Sequence, residues 1–272
     1  MKDKYAVVGN PISHSKSPLI HRLFAEQTQQ TMDYDKIEAP LDDFILVVKR
    51  FFSQPEGKGL NVTVPFKEEA WKLCEQRSAC AEKAGAVNTL YLDDSGRLCG
   101  DNTDGLGLVS DIKKHGIALR DKKILILGAG GAVRGVLQPI LEEGPGKVVV
   151  ANRTQSKADA LVELFQSEGA IESSSYEALG EIFDIVINGT SASLSGSVPP
   201  IPASTIGEAT VAYDMMYGTE QTSFNKWAQA SGARQTLDGL GMLVGQAAEA
   251  FRIWRGVLPE TSEVMTTIRK NS

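Results

Sequence analysis

Cysteine is scarce in this sequence. Cys74, Cys80 and Cys99 are the only three, too few for a disulfide framework, and their spacing matches no zinc site. They read as core or surface thiols of a reducing compartment. Long hydrophobic runs are missing as well. No window approaches the ~20 apolar residues needed to span a bilayer. Met1-Lys2-Asp3-Lys4-Tyr5 leads straight into a short strand pattern, without the apolar stretch of a signal peptide. A cytoplasmic protein without membrane partners is expected. Lysine and arginine form no cluster, and the net charge of -6 offers no electrostatic footprint for nucleic acid. Any anionic small molecule must then be held by local groups. Repeats and low-complexity tracts are absent too. Nothing fixes an oligomeric state, and a monomer or a homodimer is equally compatible.

What is present is alternation. Short apolar runs alternate with amphipathic helical runs over 272 residues, which predicts an α/β protein of two domains. In the first part the pattern predicts strands at Tyr5–Val8, 32–38 and Leu60–Val64. Helices are predicted at Pro18–Gln27 and Asp42–Phe52, with one long helix over Lys67–Lys83. Ala86–Leu92 and Arg97–Gly100 read as a hairpin about Asp94-Ser95-Gly96. The second part is more regular. Strands at Lys123–Leu127, Lys147–Ala151, Asp184–Asn188, Val211–Met215 and Gln235–Leu237, with helices at 132–143 and 155–167, have the spacing of a Rossmann-type, doubly wound parallel sheet. Pro139 falls inside the first of those helices. Leu240–Trp254 is a helix with Leu243, Ala247, Phe251 and Trp254 on one side, after the parallel sheet is complete. Its apolar face needs a partner, so the helix is expected to return to the first domain. The predicted division is 1–103, completed by 240–272, around a nucleotide-binding domain of 104–239.

The cofactor signal begins at Ile124-Leu125-Ile126-Leu127, which runs into Gly128-Ala129-Gly130-Gly131-Ala132. A buried strand, a glycine turn and a helix start let the backbone approach a pyrophosphate, with free N–H donors at the helix N-terminus. Glycine turns also simply connect strands to helices, but here all three parts agree. The next strand ends in Asn152-Arg153-Thr154, with Lys157 one turn on. An NAD site places an acid here to bind the ribose 2′-OH. None is present. Arg153 suits a 2′-phosphate, although the same residues also make an ordinary solvated helix start. Asn188-Gly189-Thr190-Ser191 and Tyr213-Asp214-Met215 close two further strands at the edge where such folds bind ligands.

On the other half, Ser17 and Pro18 suit the N-cap and first position of a helix, and Ser15 adds a second hydroxyl. Capping explains Ser17 completely; a carboxylate site at the same N-terminus is the alternative. Strand alternation puts Asn61 and Thr63 on one face, followed by Lys67 after Pro65. That cation is slightly unfavourable at a helix start, which favours a chemical role. Asn88 interrupts an apolar strand pattern and needs a hydrogen-bonding reason. Asp104 precedes another helix and is equally a cap or a functional acid.

Taken in order, these segments resemble the shikimate dehydrogenase family. The resemblance is carried by Gly9-Asn10-Pro11-Ile12, Ser15-Lys16-Ser17-Pro18, Asn61–Lys67, Gly85–Thr89, Gly100–Gly105, Gly128–Ala132, Asn152–Thr154 and Asp238–Leu243 with Gln246. It implies that Ser15 and Ser17 bind a substrate carboxylate with help from Tyr217. It implies that Asn61, Thr63, Asn88, Asp104 and Gln246 bind ring hydroxyls, and that Lys67 and Asp104 form the catalytic pair. Gly128, Ala129, Gly130, Gly131, Ala132, Asn152, Arg153, Thr154, Lys157, Thr190, Ser191, Met215 and Gly239 would contact NADP(H). Gly189 departs from the family's usual alanine and is expected to loosen its turn without touching the chemistry. The implied reaction is reversible reduction of 3-dehydroshikimate, without metal. The alternatives are a quinate/shikimate dehydrogenase using NAD and a non-catalytic NADPH-binding regulator.

Overall fold

The structure is a computed structural model that describes residues 2–270. It separates into two compact units, one running to Gly107 and resuming at Val244, the other spanning Leu108–Leu243. The division falls inside two helices, a few residues beyond the turns at 103 and 239. The reason lies in the hydrogen bonds of the helix starts. Asp104 is bonded into the first unit by Lys67 and Asn88. Met242, in contrast, donates its N–H to the Tyr213 hydroxyl of the second unit.

In the first unit the chain runs β1 (Asp3–Gly9), α1 (Ser17–Gln27), β2 (Met32–Glu38), α2 (Phe44–Phe52), β3 (Gly57–Val62), α3 (Lys67–Leu73), β4 (Gln76–Arg77), α4 (Ala79–Ala84), β5 (Thr89–Leu92), β6 (Leu98–Asp101) and then enters α5 (Asp104–Lys114). The sheet order is β2-β1-β3-β5-β6-β4. β1 is parallel to both β2 and β3, whereas β3–β5 and β5–β6 are antiparallel. Alternation along β1 sends Ala6 and Val8 into a core with Leu60, Val62, Leu90, Phe44 and Phe66. Phe44 and Phe66 stack there at 4.7 Å.

The single helix predicted over Lys67–Lys83 is two short helices with a two-residue strand between them. Periodicity did not reveal the break because local polar groups make it. The Arg77 guanidinium donates to the carbonyls of Trp71 and Cys74, satisfying the end of α3, and lies 4.4 Å over the Trp71 ring. The Ser78 hydroxyl accepts from Ala81 N–H and caps α4. β3 also stops at Val62, two residues short of its predicted end, so Thr63 lies on the turn rather than on the strand face.

The second unit contains β7 (Lys123–Leu127), α6 (Gly131–Glu142), β8 (Lys147–Ala151), α7 (Gln155–Phe165), β9 (Ile171–Ser174), β10 (Ile185–Asn188), β11 (Val211–Asp214), α8 (Ser223–Ala230) and β12 (Gln235–Asp238). Its sheet is parallel throughout, in the order β12-β11-β10-β7-β8-β9. This is a doubly wound, Rossmann-type order, with the switch point between β7 and β10. Ile124 and Ile126 face α6, while Leu125 and Leu127 face a second core with Phe183 and Phe224. Burial on both faces explains why these strands read as continuous apolar runs. β9 has no counterpart in the sequence reading. It is a short, half-polar edge strand paired to β8.

The chain then forms α9 (Leu240–Arg255) and α10 (Ser262–Lys270). From Val244 onward α9 belongs to the first unit, where Phe251 meets Phe24 at 5.8 Å and Trp254 meets Tyr5 at 4.9 Å.

Candidate active site

The polar centre of the first unit is Asn88. It sits just before β5 rather than inside a strand, and it is buried. Its amide nitrogen reaches Thr103 Oγ1 (3.0 Å), Asp104 Oδ1 (2.9 Å) and Gln246 Oε1 (3.2 Å). Its Oδ1 accepts from Thr103 N–H at 3.0 Å and from the Thr89 hydroxyl at 2.9 Å. An amide with both ends occupied is fixed in orientation, and it fixes Asp104 in turn.

Asp104 is the first residue of α5, and its own N–H is capped by Asn102 Oδ1 at 3.2 Å. Its carboxylate is therefore free of capping duty. Oδ2 receives Lys67 Nζ at 2.6 Å, with 29% of the lysine side chain and 12% of the aspartate side chain exposed. Lys67 opens α3, where Glu68 and Glu69 share the first turn. Asp104, Glu68 and Glu69 offset the cost of a cation at a helix start. The pair is charge-assisted, partly enclosed and still reachable.

Of the remaining residues expected on this half, Asn61 is buried in β3. Its Nδ2 donates to Asn88 O (3.2 Å) and Thr89 Oγ1 (3.3 Å), and its Oδ1 accepts from the Tyr34 hydroxyl (2.7 Å). Thr63, half-buried, donates its N–H to Val8 O at 3.0 Å, at the end of the same sheet. Ser17 does not cap α1. Lys16 holds that position without a side-chain cap bond, and Ser17 lies inside the first turn, buried. Ser15 Oγ accepts from Ser17 N–H at 3.3 Å. Tyr217 follows β11 in the second unit and is exposed.

In the second unit, β7 leads into Gly128 with φ +106°, a backbone conformation that favours glycine. Gly130 is the N-cap of α6. A Cβ built at Gly130 or Gly131 would meet nothing within 4 Å, and both residues are exposed with Ala132. Packing within the unit therefore does not require glycine there. What the pair provides is open space before the unpaired N–H groups of a helix N-terminus, which fits a pyrophosphate. The register sets Leu127 beside Ala151 and beside Asn188, so the turns after β8 and β10 flank the glycine turn. After β8 come Asn152, whose amide donates to Thr154 O at 2.9 Å, and the exposed Arg153, Thr154 and Lys157. Thr154 occupies the N-cap of α7 but makes no side-chain cap bond. Its hydroxyl, like the Arg153 guanidinium, is available to a ligand phosphate. The donor set is cationic and hydroxylic, with no carboxylate among residues 152–157, and fits an adenosine 2′-phosphate.

Thr190 donates both its N–H (3.1 Å) and its hydroxyl (2.7 Å) to Asn188 Oδ1, and Met215 donates its N–H to Asn188 O at 2.9 Å. Ser191, next to Thr190, is exposed. Gly239 packs its Cα against the Met215 backbone. These positions were legible as strand ends. The group that ties them together was not. Asp214 is fully buried, and its carboxylate accepts from Asn188 Nδ2 (3.0 Å), the Ser193 hydroxyl (2.6 Å) and Met216 N–H (3.1 Å). Gly189 also differs from expectation. A methyl there would run into Val133 and sit 3.2 Å from Met215 Sδ, so the turn is filled by its neighbours rather than loosened.

Residues 7–90 match the model of a shikimate dehydrogenase substrate binding domain, 110–195 that of shikimate/quinate 5-dehydrogenase, and 239–269 that of a shikimate 5′-dehydrogenase C-terminal domain. A shikimate dehydrogenase (NADP(+)) of Alkalilimnicola ehrlichii is 55% identical over 99% of both chains. The chain belongs to the shikimate dehydrogenase family. A second relative within that family, from Marinobacter nauticus, carries the same name and is 58% identical over 98% of both chains. A solved shikimate 5-dehydrogenase of Thermus thermophilus, in complex with NADP(H) and shikimate, is 34% identical and superposes with a TM-score of 0.89, covering 99% of this chain and 100% of that one. Among the described residues, no helix is long and apolar enough to cross a membrane.

Proposed function

We propose that this chain catalyses the reversible NADPH-dependent reduction of 3-dehydroshikimate to shikimate in the cytoplasm, as a step of chorismate and aromatic amino-acid biosynthesis. The observation that carries the reading is the Lys67–Asp104 pair at 2.6 Å, set by Asn88 in a cluster of amides and hydroxyls. NADPH, when bound, supplies a hydride to the ring carbonyl carbon.

The chain's residues handle the charge and the proton. Negative charge grows on the carbonyl oxygen, and Lys67 Nζ, as ammonium, stabilises it and donates a proton. In the oxidative direction the neutral amine accepts that proton from the shikimate hydroxyl. Asp104 holds Lys67 and accepts from a ring hydroxyl, with Asn61, Thr63, Asn88 and Gln246 as the other polar contacts. Ser15 and Ser17 take the carboxylate. In the second unit Gly128–Ala132 receive the pyrophosphate; Asn152, Arg153, Thr154 and Lys157 receive the 2′-phosphate; Thr190, Ser191, Met215 and Gly239 border the nicotinamide end.

An intact Lys67–Asp104 pair favours an enzyme over a non-catalytic NADPH-binding regulator. The missing acid after β8 favours NADP over an NAD-using quinate/shikimate dehydrogenase. The test is the initial rate of NADP⁺ reduction with shikimate, repeated with NAD⁺ and with quinate. Rapid turnover with shikimate and NADP⁺ alone is expected. Faster turnover with quinate and NAD⁺ overturns the assignment. Sedimentation at assay concentration decides between monomer and homodimer.

A further inference from the structure

Tyr34 lies on β2, separated from β3 by β1, yet its phenol reaches Asn61 of β3. The hydroxyl donates to Asn61 Oδ1 at 2.7 Å. Its ring is stacked on His21 at 4.2 Å and 7°. His21 is wholly buried between Phe24, Phe251 and Trp254, and neither ring nitrogen has a hydrogen-bond partner. Burial lowers its pKa to about 3, and Asn61 approaches it without completing a bond. His21 is thus a neutral aromatic plate against which Tyr34 is clamped.

The clamp matters because an amide side chain has two faces of similar shape and opposite polarity. With Oδ1 of Asn61 held by Tyr34, its Nδ2 must point to Asn88 O and Thr89 Oγ1, at 3.2 and 3.3 Å. One phenol on β2 therefore sets the orientation of an amide assigned to a ring hydroxyl.

We propose that Tyr34 is a positioning residue of the substrate site, acting through Asn61. The inference rests on the reaction proposed above. Its test is Tyr34→Phe, which keeps the ring on His21 and removes the one hydroxyl. The orphaned, buried Asn61 oxygen raises KM for shikimate roughly tenfold. The expected kcat stays within about threefold, and KM for NADP⁺ does not move. In ¹⁵N spectra the Asn61 side-chain amide protons shift and exchange faster. An unchanged KM for shikimate overturns the proposal. So does a parallel rise in both KM values with a lowered Tm, which marks a merely structural residue. If the unaltered protein fails to oxidise shikimate, the reaction assignment falls instead. The Asn61 resonances still decide the role of Tyr34, because their persistence in Tyr34→Phe overturns it.

Discussion

Lys67 and Asp104 make sense only as a pair. Each alone has a structural reading, as a helix-start cation or as a cap; Lys67 does open α3, but Asn102 does the capping at α5 and leaves the Asp104 carboxylate to Lys67. Lys67→Ala is expected to lose about 10²–10⁴-fold in kcat while binding NADPH normally, measured by steady-state kinetics and fluorescence titration. Near-normal turnover would remove Lys67 from its role. Arg153 is exposed and lies at the end of β8 beside the glycine turn. Arg153→Ala should narrow the preference for NADPH over NADH by about tenfold or more, since a charge-assisted phosphate contact contributes roughly 1.5–3 kcal/mol. An unchanged ratio of the two dissociation constants would count against the 2′-phosphate site.

Among elements, strands buried on both faces were the easiest to read. β7, β8 and the glycine turn announce themselves through continuous Val, Ile and Leu followed by Gly128. The break between α3 and α4 was not legible, because it depends on Arg77 reaching back to Trp71 and Cys74, and period counting does not register such a contact. The site divides in the same way. Asn88 was flagged because asparagine is out of place in an apolar run. Tyr34 gave no signal, and Asp214 stood out only as part of a strand-end segment, since a tyrosine in a strand and an aspartate at a strand end are ordinary there; only tertiary proximity shows what they hold. Gly189 was misjudged for the same reason, as its fit depends on Val133 of α6. Gly189→Ala should lower stability by about 1–3 kcal/mol through overpacking, with most of it restored in Gly189→Ala/Val133→Ala. Additive losses in urea denaturation would argue against that contact.

The whole molecule combines two units whose buried titratable groups respond to acid with opposite sign. In the first, burial depresses His21 from 6.5 to about 3. Between those values the unfolded chain binds a proton that the native unit refuses, so stability present above pH 6.5 is lost as pH falls. The full effect is on the order of a few kcal/mol. In the second unit, burial raises the pKa of Asp111, which accepts from the Tyr213 hydroxyl at 2.8 Å. There the native state holds the extra proton, and stability is lost as pH rises through the raised value. Hydrogen exchange at pH 5 and pH 7, corrected for intrinsic rates, should show protection in β1 and β3 falling with acid while β7 and β11 keep theirs. A uniform change across both sheets would refute the assignment.

The return of the chain to its first unit at Val244 also sets an order of assembly during synthesis. Domains usually form from the N-terminus as they leave the ribosome. Here the earlier segment lacks Phe251 and Trp254, which cover Phe24 and Tyr5, until some 140 further residues are made. The uninterrupted stretch Leu108–Leu243 needs nothing later than itself. A nascent chain arrested with residue 243 clear of the exit tunnel should resist protease over the parallel sheet and be cut within the first hundred residues. The nucleotide-binding half would then be the older structure in every newly made molecule, and the half with Lys67 the last to close.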